Sequence, residues 1–204
     1  MERISFIDLI KDKTIALVGP SCYLEGKNKG KLIDSNDIVI KINNYYKLPE
    51  NDYGEKVDIL FHNFIEIPKY SKKIKYIVQG HPPIVIKNKI LFNQSIKYNN
   101  IIHIRYPFEL LNNYIKSQIY NTGSRKTTGF FVIAFLFSNL NIIKKLSIFG
   151  IDFCFNKYST SYAGKINGHN MRYELFLFRN IYKKYKNDKI YIDDKKFEEY
   201  LDKI

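Results

Sequence analysis

Cysteine is scarce and tryptophan is absent: the 204 residues include two cysteines, Cys22 and Cys154, and no Trp. Two thiols are too few for a disulfide scaffold or a cysteine-rich metal centre. There is no H-E-x-x-H and no Cys/His spacing suited to zinc. No D-x-D pair occurs either, so the common device for holding a metal against a diphosphate is missing. Long apolar runs are also lacking. The longest, Phe130–Phe137, falls well short of the roughly 18 residues that a membrane-spanning helix needs. The opening MERISFIDLIKDK carries charges through its first turns, so neither a signal peptide nor a transmembrane anchor is expected. These absences favour a soluble cytoplasmic protein, with peripheral contact at a membrane surface kept open.

No block of like charge appears, although the net charge is +13. Basic residues are spread along the chain without a run of five or six, and no zinc-finger or RNP1-like pattern accompanies them. A solvated lysine surface accounts for the excess, which would still favour an anionic surface or a small anionic substrate. No nucleic-acid partner is expected. The first glycine turn, Gly19-Pro20-Ser21-Cys22-Tyr23-Leu24, is neither G-x-G-x-x-G nor a G-K-[ST] phosphate loop. Hydride transfer with a dinucleotide and ordinary kinase chemistry are therefore unsupported. The weight of Lys, Asn and Ile and the shortage of Ala read as coding bias of an AT-rich genome.

What is present is an alternation of strands and helices. Thr14–Val18 is a short apolar run stopped by Gly19-Pro20, and Asp37–Ile42 reads as a second strand. Val57–Phe61, Lys75–Gln79, Ile101–Arg105, Lys145–Phe149 and Lys189–Ile192 continue the series. Helices are expected over Met1–Lys13 at the sheet edge, Phe108–Ile119, Thr128–Leu140, Asn170–Tyr185 and Lys195–Leu201. Thr128–Leu140 is apolar on nearly every face and should be buried. Met171, Leu175, Phe178 and Tyr182 mark one face of an amphipathic helix. No internal repeat or linker interrupts residues 1–204, so one domain is expected. The pattern predicts a single-domain three-layer α/β/α sandwich on a mainly parallel, Rossmann-like sheet. Ligands of such sheets sit at the carboxyl ends of the strands. Here those ends are Gly19–Gly26, Ile42–Tyr46, His62-Asn63, Gly80–Pro83, Arg125–Gly129 and Gly150–His169.

Three constellations fall there. Ile15–Asn43 reads as strand, glycine turn, helix start and strand, which would leave turn N–H groups for a phosphate. In Arg125-Lys126-Thr127-Thr128-Gly129, either threonine can cap the buried helix, freeing first-turn N–H groups for an anion, and Arg125 adds a fork of donors. In Gly168-His169-Asn170-Met171-Arg172-Tyr173-Glu174, His169 stands at a helix start. That position disfavours the imidazolium, and a neutral imidazole is what a general base requires. The plainer readings are an ordinary βα turn for the first, a simple capped helix for the second, which leaves Arg-Lys beside a glycine unexplained, and a cap or surface residue for His169. Of the other histidines, His103 lies between isoleucines as a core residue, His81 belongs to a Pro-Pro loop, and His62 sits at a strand end beside Asn63.

Together these segments resemble sialyltransferases. The opening stretch is similar to the large sialylmotif of glycosyltransferase family 29, through the strand ending in V-G, then Leu24, Gly26, Gly30, Ile33-Asp34-Ser35, Asp37, Val39-Ile40 and Asn43. Asp52-Tyr53-Gly54-Glu55-Lys56 extends it. Thr127-Thr128-Gly129 through Phe149-Gly150 resembles the small motif, and His169 with Glu174 the very small motif. The second half is also similar to bacterial family 42, through Arg125, Thr127–Gly129, Gly150-Ile151-Asp152-Phe153, Tyr162-Ala163 and Gly168-His169. The islands span roughly residues 14–186. By the same resemblance the family 29 cysteine pair is replaced here by Ile15 and Ile143, and no membrane anchor or stem like that of Golgi members is expected. Both departures point to a bacterial or viral enzyme. Pro20 replaces an asparagine that often contacts the nucleotide, and Cys154 replaces one phosphate-binding tyrosine, with Tyr158 nearby.

The resemblance implies the sialyltransferase variant of the GT-A fold and inverting, metal-independent transfer from a CMP-sugar, most simply CMP-sialic acid, to a glycan or glycolipid hydroxyl. No cofactor is implied, because the CMP-sugar is a substrate. His169 would be the general base. Tyr162 and Thr127, Thr128 and Gly129 would bind the departing phosphate, with Arg125 near the sugar or acceptor. Asn43 and Asn63 would contact the nucleotide, and Gly19, Ser21, Gly150, Asp152 and Glu174 complete the donor site. The alternatives are transfer from a CMP-Kdo-type donor, or a non-catalytic nucleotide- or nucleic-acid-binding module. A homo-oligomer is left open.

Overall fold

The computed structural model describes residues 6–64, 74–80, 102–104, 107–120, 126–153, 155–157 and 169–203. Seven strands form one sheet: β1 (Thr14–Val18), β2 (Ile38–Ile42), β3 (Ile59–His62), β4 (Tyr76–Gln79), β5 (Ile102–Ile104), β6 (Lys145–Phe149) and β7 (Ile190–Ile192). Their order is β5-β4-β3-β2-β1-β6-β7, and each neighbouring pair is parallel. The chain lays down β1 to β5 in one direction, then returns to add β6 against β1. That reversal puts a topological switch point at the carboxyl ends of β1 and β6. The strands are apolar on both sides because both faces are covered.

Alternate residues of β1 separate the faces. Ile15 and Leu17 join the larger core cluster, and Ala16 and Val18 the smaller one. The larger cluster lies under α1 (Phe6–Ile10), α4 (Asn113–Tyr120), α5 (Thr128–Ser138), α6 (Met171–Tyr185) and α7 (Lys195–Asp202). α5 is its centre: residues 128–137 are all buried, as an all-round apolar helix must be. Ile15 and Ile143 both belong to this cluster. The opposite face carries a 3-10 turn (Cys22–Leu24), α2 (Gly30–Asp34) and α3 (Glu50–Tyr53) over Val18, Val39 and Phe149.

Several boundaries differ from expectation for local reasons. β2 begins at Ile38 because the Asp37 carboxylate accepts from the Thr14 N–H (2.8 Å) and hydroxyl (2.9 Å), ending the ladder there. Phe108–Ile119 is broken: a 3-10 turn at Phe108–Leu110 precedes α4, whose start is capped by Asn112 Oδ1 accepting from Ile115 N. α5 ends at Ser138, where Asn139 donates Nδ2 back to the Phe135 carbonyl at 2.8 Å. α1 does not lie at the sheet edge. The Phe6 ring meets Phe61 of β3 and Phe135 of α5, over the middle of the sheet. Among the described residues, no helix is long and apolar enough to cross a membrane.

Candidate active site

The first turn does not form the expected phosphate cradle. Its N–H groups are already used: Gly19 to Phe149 O, Ser21 to Gly150 O, Cys22 to Lys157 O, Tyr23 to Ser21 Oγ and Leu24 to Ser21 O. Pro20 has no N–H to offer. The expected helix start is a single 3-10 turn capped by Ser21, with α2 beginning only at Gly30. Ser21 is fully buried and donates its hydroxyl to Asp152 Oδ2 at 2.6 Å. Asp152 also accepts from the N–H and Nδ2 of Asn156. The cavity beside this pair is about 10 Å³, room for one water at most. Ser21 and Asp152 therefore tie the β1 turn to the loop after β6.

Gly19 and Gly150 are explained in the same way. A Cβ on Gly19 would collide with the Gly150 carbonyl, and one on Gly150 would lie 2.7 Å from the Gly19 carbonyl. Gly150 also has φ +62°, which favours glycine. The two glycines let the ends of β1 and β6 touch, a packing role that needs no ligand. Asp34 likewise spends its carboxylate on the backbone, accepting from Glu55 N and Lys56 N at 2.9 and 3.0 Å.

The N-terminus of α5 is different. Thr127 is the N-cap, and its hydroxyl oxygen accepts from Phe130 N at 3.2 Å. That cap takes the third N–H of the helix. Among the described residues nothing accepts from the first two, those of Thr128 and Gly129. Among the described residues a Cβ on Gly129 would meet no atom nearer than 3.6 Å, so their packing does not demand this glycine. Two unclaimed N–H groups, a helix-dipole end and a bare Cα make a site for an anion in close contact.

Around it stand the ends of three strands. Asn43 follows β2 with φ +47°, and its Oδ1 accepts from Asn63 N at 3.1 Å and from the Thr128 hydroxyl at 3.5 Å. The structure thus brings Asn43, Asn63 and Thr128 together, leaving the Asn43 Nδ2 donors outside these contacts. A Cβ on Gly80, just past β4, would lie 2.5 Å from Thr128 Cγ2, so this strand end rests on the start of α5. His62 ends β3 but is buried rather than lining an opening, and its Nδ1 accepts from Phe64 N at 3.0 Å.

His169 precedes Asn170, which caps α6 by accepting from Tyr173 N. Its Nδ1 lies 3.9 Å from Glu174 Oε1. Glu174 is 1% exposed, and its two oxygens accept from the Thr127 N–H (2.9 Å) and hydroxyl (2.5 Å). Burial pushes this carboxyl up to about 7, against the opposing pull of the Thr127 hydrogen bonds and the Lys126 charge. Expected as a donor-binding residue, Glu174 instead reaches the site through Thr127: it fixes the α5 cap and stands beside His169. Lys126, part of the Arg125–Gly129 run but given no role from the sequence, is buried with its ammonium 5.1 Å from the Tyr173 ring centre. The only sequence signal for it was its place beside the cap. Arg125, Tyr162, His81, Cys154 and Tyr158 lie outside the described residues, as does the His103 side chain.

No family model matches the chain, and no curated protein matches it in sequence. Solved structures do match in fold. A mammalian sialyltransferase superposes with a TM-score of 0.63 at 18% identity, over 89% of this chain and 68% of that one. The sialyltransferase CstII from Campylobacter jejuni, in complex with the substrate analogue CMP-3FNeuAc, gives 0.54 at 18% identity, over 88% and 80%. The CST-II complex with a trisaccharide acceptor and CMP gives 0.55 at 16% identity, over 88% and 80%. The chain has the fold of these sialyltransferases.

Proposed function

We propose that the protein is a sialyltransferase-like glycosyltransferase, moving sialic acid or a related sugar from a CMP-linked donor to a glycan or glycolipid hydroxyl. One observation carries the reading: the start of α5 offers two unclaimed N–H groups and an unobstructed Gly129, within one cluster with Asn43, Asn63 and the Glu174–His169 pair. Likeness in fold to enzymes solved with CMP and CMP-3FNeuAc supports the choice of donor.

In this mechanism the CMP phosphate accepts from the N–H groups of Thr128 and Gly129, and the nucleoside lies toward Asn43 and Asn63. His169 takes the proton from the acceptor hydroxyl as its oxygen attacks the anomeric carbon. The glycosidic bond to CMP breaks on the opposite side, so the configuration inverts. Negative charge growing on the phosphate meets the helix N-terminus and its fixed donors, a stabilisation that needs no metal. Tyr162 and Arg125 are assigned to the phosphate and to the sugar or acceptor by resemblance.

The test is His169→Ala with CMP binding measured in parallel. Transfer should fall about 10²–10⁴-fold while CMP binding persists. Full activity in the variant would remove His169 as the base. Activity should also survive EDTA, and strict metal dependence would contradict the leaving-group argument.

A further inference from the structure

Lys126 is a buried titratable group that the proposed reaction does not use. It is the residue before the Thr127 cap, and its ammonium lies 5.1 Å from the ring centre of Tyr173, in the first turn of α6. Its side chain therefore reaches from the start of α5 to the start of α6. Taking an ammonium out of water is costly, and a ring face repays only part of that cost. Burial accordingly pushes this ammonium below its ordinary range, while the charge of Glu174 pulls it back. Apolar side chains in place of a buried ion pair are often neutral or stabilising, so fold stability is a poor account of a lysine here.

Its charge acts on Glu174. That carboxyl accepts from the N–H and hydroxyl of Thr127, and its Oε1 lies 3.9 Å from His169 Nδ1. The groups bearing on it are thus Thr127 and Lys126 from the start of α5, and His169 from just ahead of α6. Charges on the other elements against α6 are engaged elsewhere. On α7, Glu198 accepts from Lys195 and Tyr182, and Asp202 accepts from Lys186. In the loop after β6, Asp152 accepts from Ser21 and Asn156. Burial raises Glu174 to about 7 even with the Lys126 charge opposing it. Without that charge the carboxyl would keep its proton to higher pH.

The state of this carboxyl decides the tautomer of His169. An ionised Glu174 can only accept, so the imidazole turns Nδ1–H toward it and Nε2 is left to take a proton. A protonated Glu174 can donate to Nδ1 instead, which puts the ring hydrogen on Nε2 and removes the base. The 3.9 Å separation is longer than a hydrogen bond, and such contacts tighten when a site fills. We infer that Lys126 is a positioning residue for the base: acting through Glu174, it holds His169 in the tautomer that carries its hydrogen on Nδ1. This rests on His169 being the base in the reading proposed above.

The experiment compares wild type with Lys126→Met, a side chain of similar length without charge. The readouts are the pH profile of kcat/KM and the proton–nitrogen NMR spectrum of the imidazoles. The acid limb set by Glu174 should move up by about one pH unit, so transfer at about pH 7 should fall about fivefold and recover by about pH 9. At about pH 8 the His169 hydrogen should sit on Nδ1 in wild type and be shared with Nε2 in Lys126→Met. Lys126→Met added to Glu174→Gln should shift neither limb nor tautomer further. Lys126→Gln also removes the charge and gives the same comparison if the methionine variant folds poorly. A limb and tautomer unchanged in both neutral variants overturn the inference. So does a full shift in the Glu174→Gln background, because Lys126 would then act without Glu174. A fully active His169→Ala would refute the base reading instead, and the spectrum, which needs no turnover, tells the two failures apart.

Discussion

The two faces of the sheet are built by different means. Under α5 and α6 the face is packed by rings. Phe135 lies 4.9 Å from Phe6 and 6.4 Å from Phe61, and Phe178 meets Phe137, Phe153, Tyr182 and Phe197. The opposite face has short elements held by carboxylates on backbone N–H groups: Asp52 takes Gly26 and Asn28, Asp34 takes Glu55 and Lys56, and Asp58 takes Val39. There the buried Lys41 donates to the Gly54 carbonyl, and burial lowers its ammonium to about 8. The difference teaches where an anion can bind. Loops that spend their N–H groups on one another have none to present. A helix fixed by side-chain volume keeps its first N–H groups open.

The contrast can be broken by mutation. Phe135→Ala should cost about 3–5 kcal/mol in urea unfolding, as large cavities in packed cores do. Asp52→Ala removes the carboxylate that accepts from two backbone N–H groups on the other face and should cost about 1–3 kcal/mol. An equal loss for both would erase the distinction. Gly150→Ala forces a side chain into a left-handed conformation against Gly19 and should cost at least about 1–2 kcal/mol, read by the same titration.

A smaller effect sharpens the link between the packed face and the site. Burial raises Glu174 from 4.5 to about 7. The folded protein therefore holds a proton over a window in which the unfolded chain has lost it. The stability from this group is full below about pH 4.5 and is lost as pH rises through about 7, with a slope of at most about 1.4 kcal/mol per pH unit. Glu174→Gln should flatten that part of the stability–pH curve. An unchanged slope would show that Glu174 is not the titrating group.

Much of this was legible in the sequence. β1 and β6 fall at their expected boundaries, because runs such as TIALV and KLSIF buried on both sides have few other solutions. The capped, buried α5 was legible for the same reason, whereas the pairing of His169 with Glu174 was implied only by the resemblance to the very small motif, because His169 precedes the α6 cap and a separation of five does not share a helix face. The role of Glu174 was not legible, because its partner Thr127 is 47 residues away. Nor were the commitments of Ser21, Gly19 and Gly150, which depend on how closely two non-consecutive strand ends approach. Glycines look alike in sequence, and only the space around each Cα tells packing from presentation.

That space supplies the most direct test. Gly129→Ala adds a methyl group with no neighbour nearer than 3.6 Å among the described residues, at a helical position where alanine is favoured. Its stability should equal wild type or exceed it by up to about 1 kcal/mol. If the CMP phosphate sits against the start of α5, the same methyl occupies its approach. CMP affinity, measured by calorimetry, should then fall at least about tenfold, a change of about 1.4 kcal/mol. A Gly129→Ala protein that folds normally and binds CMP as wild type does would contradict the placement of the donor.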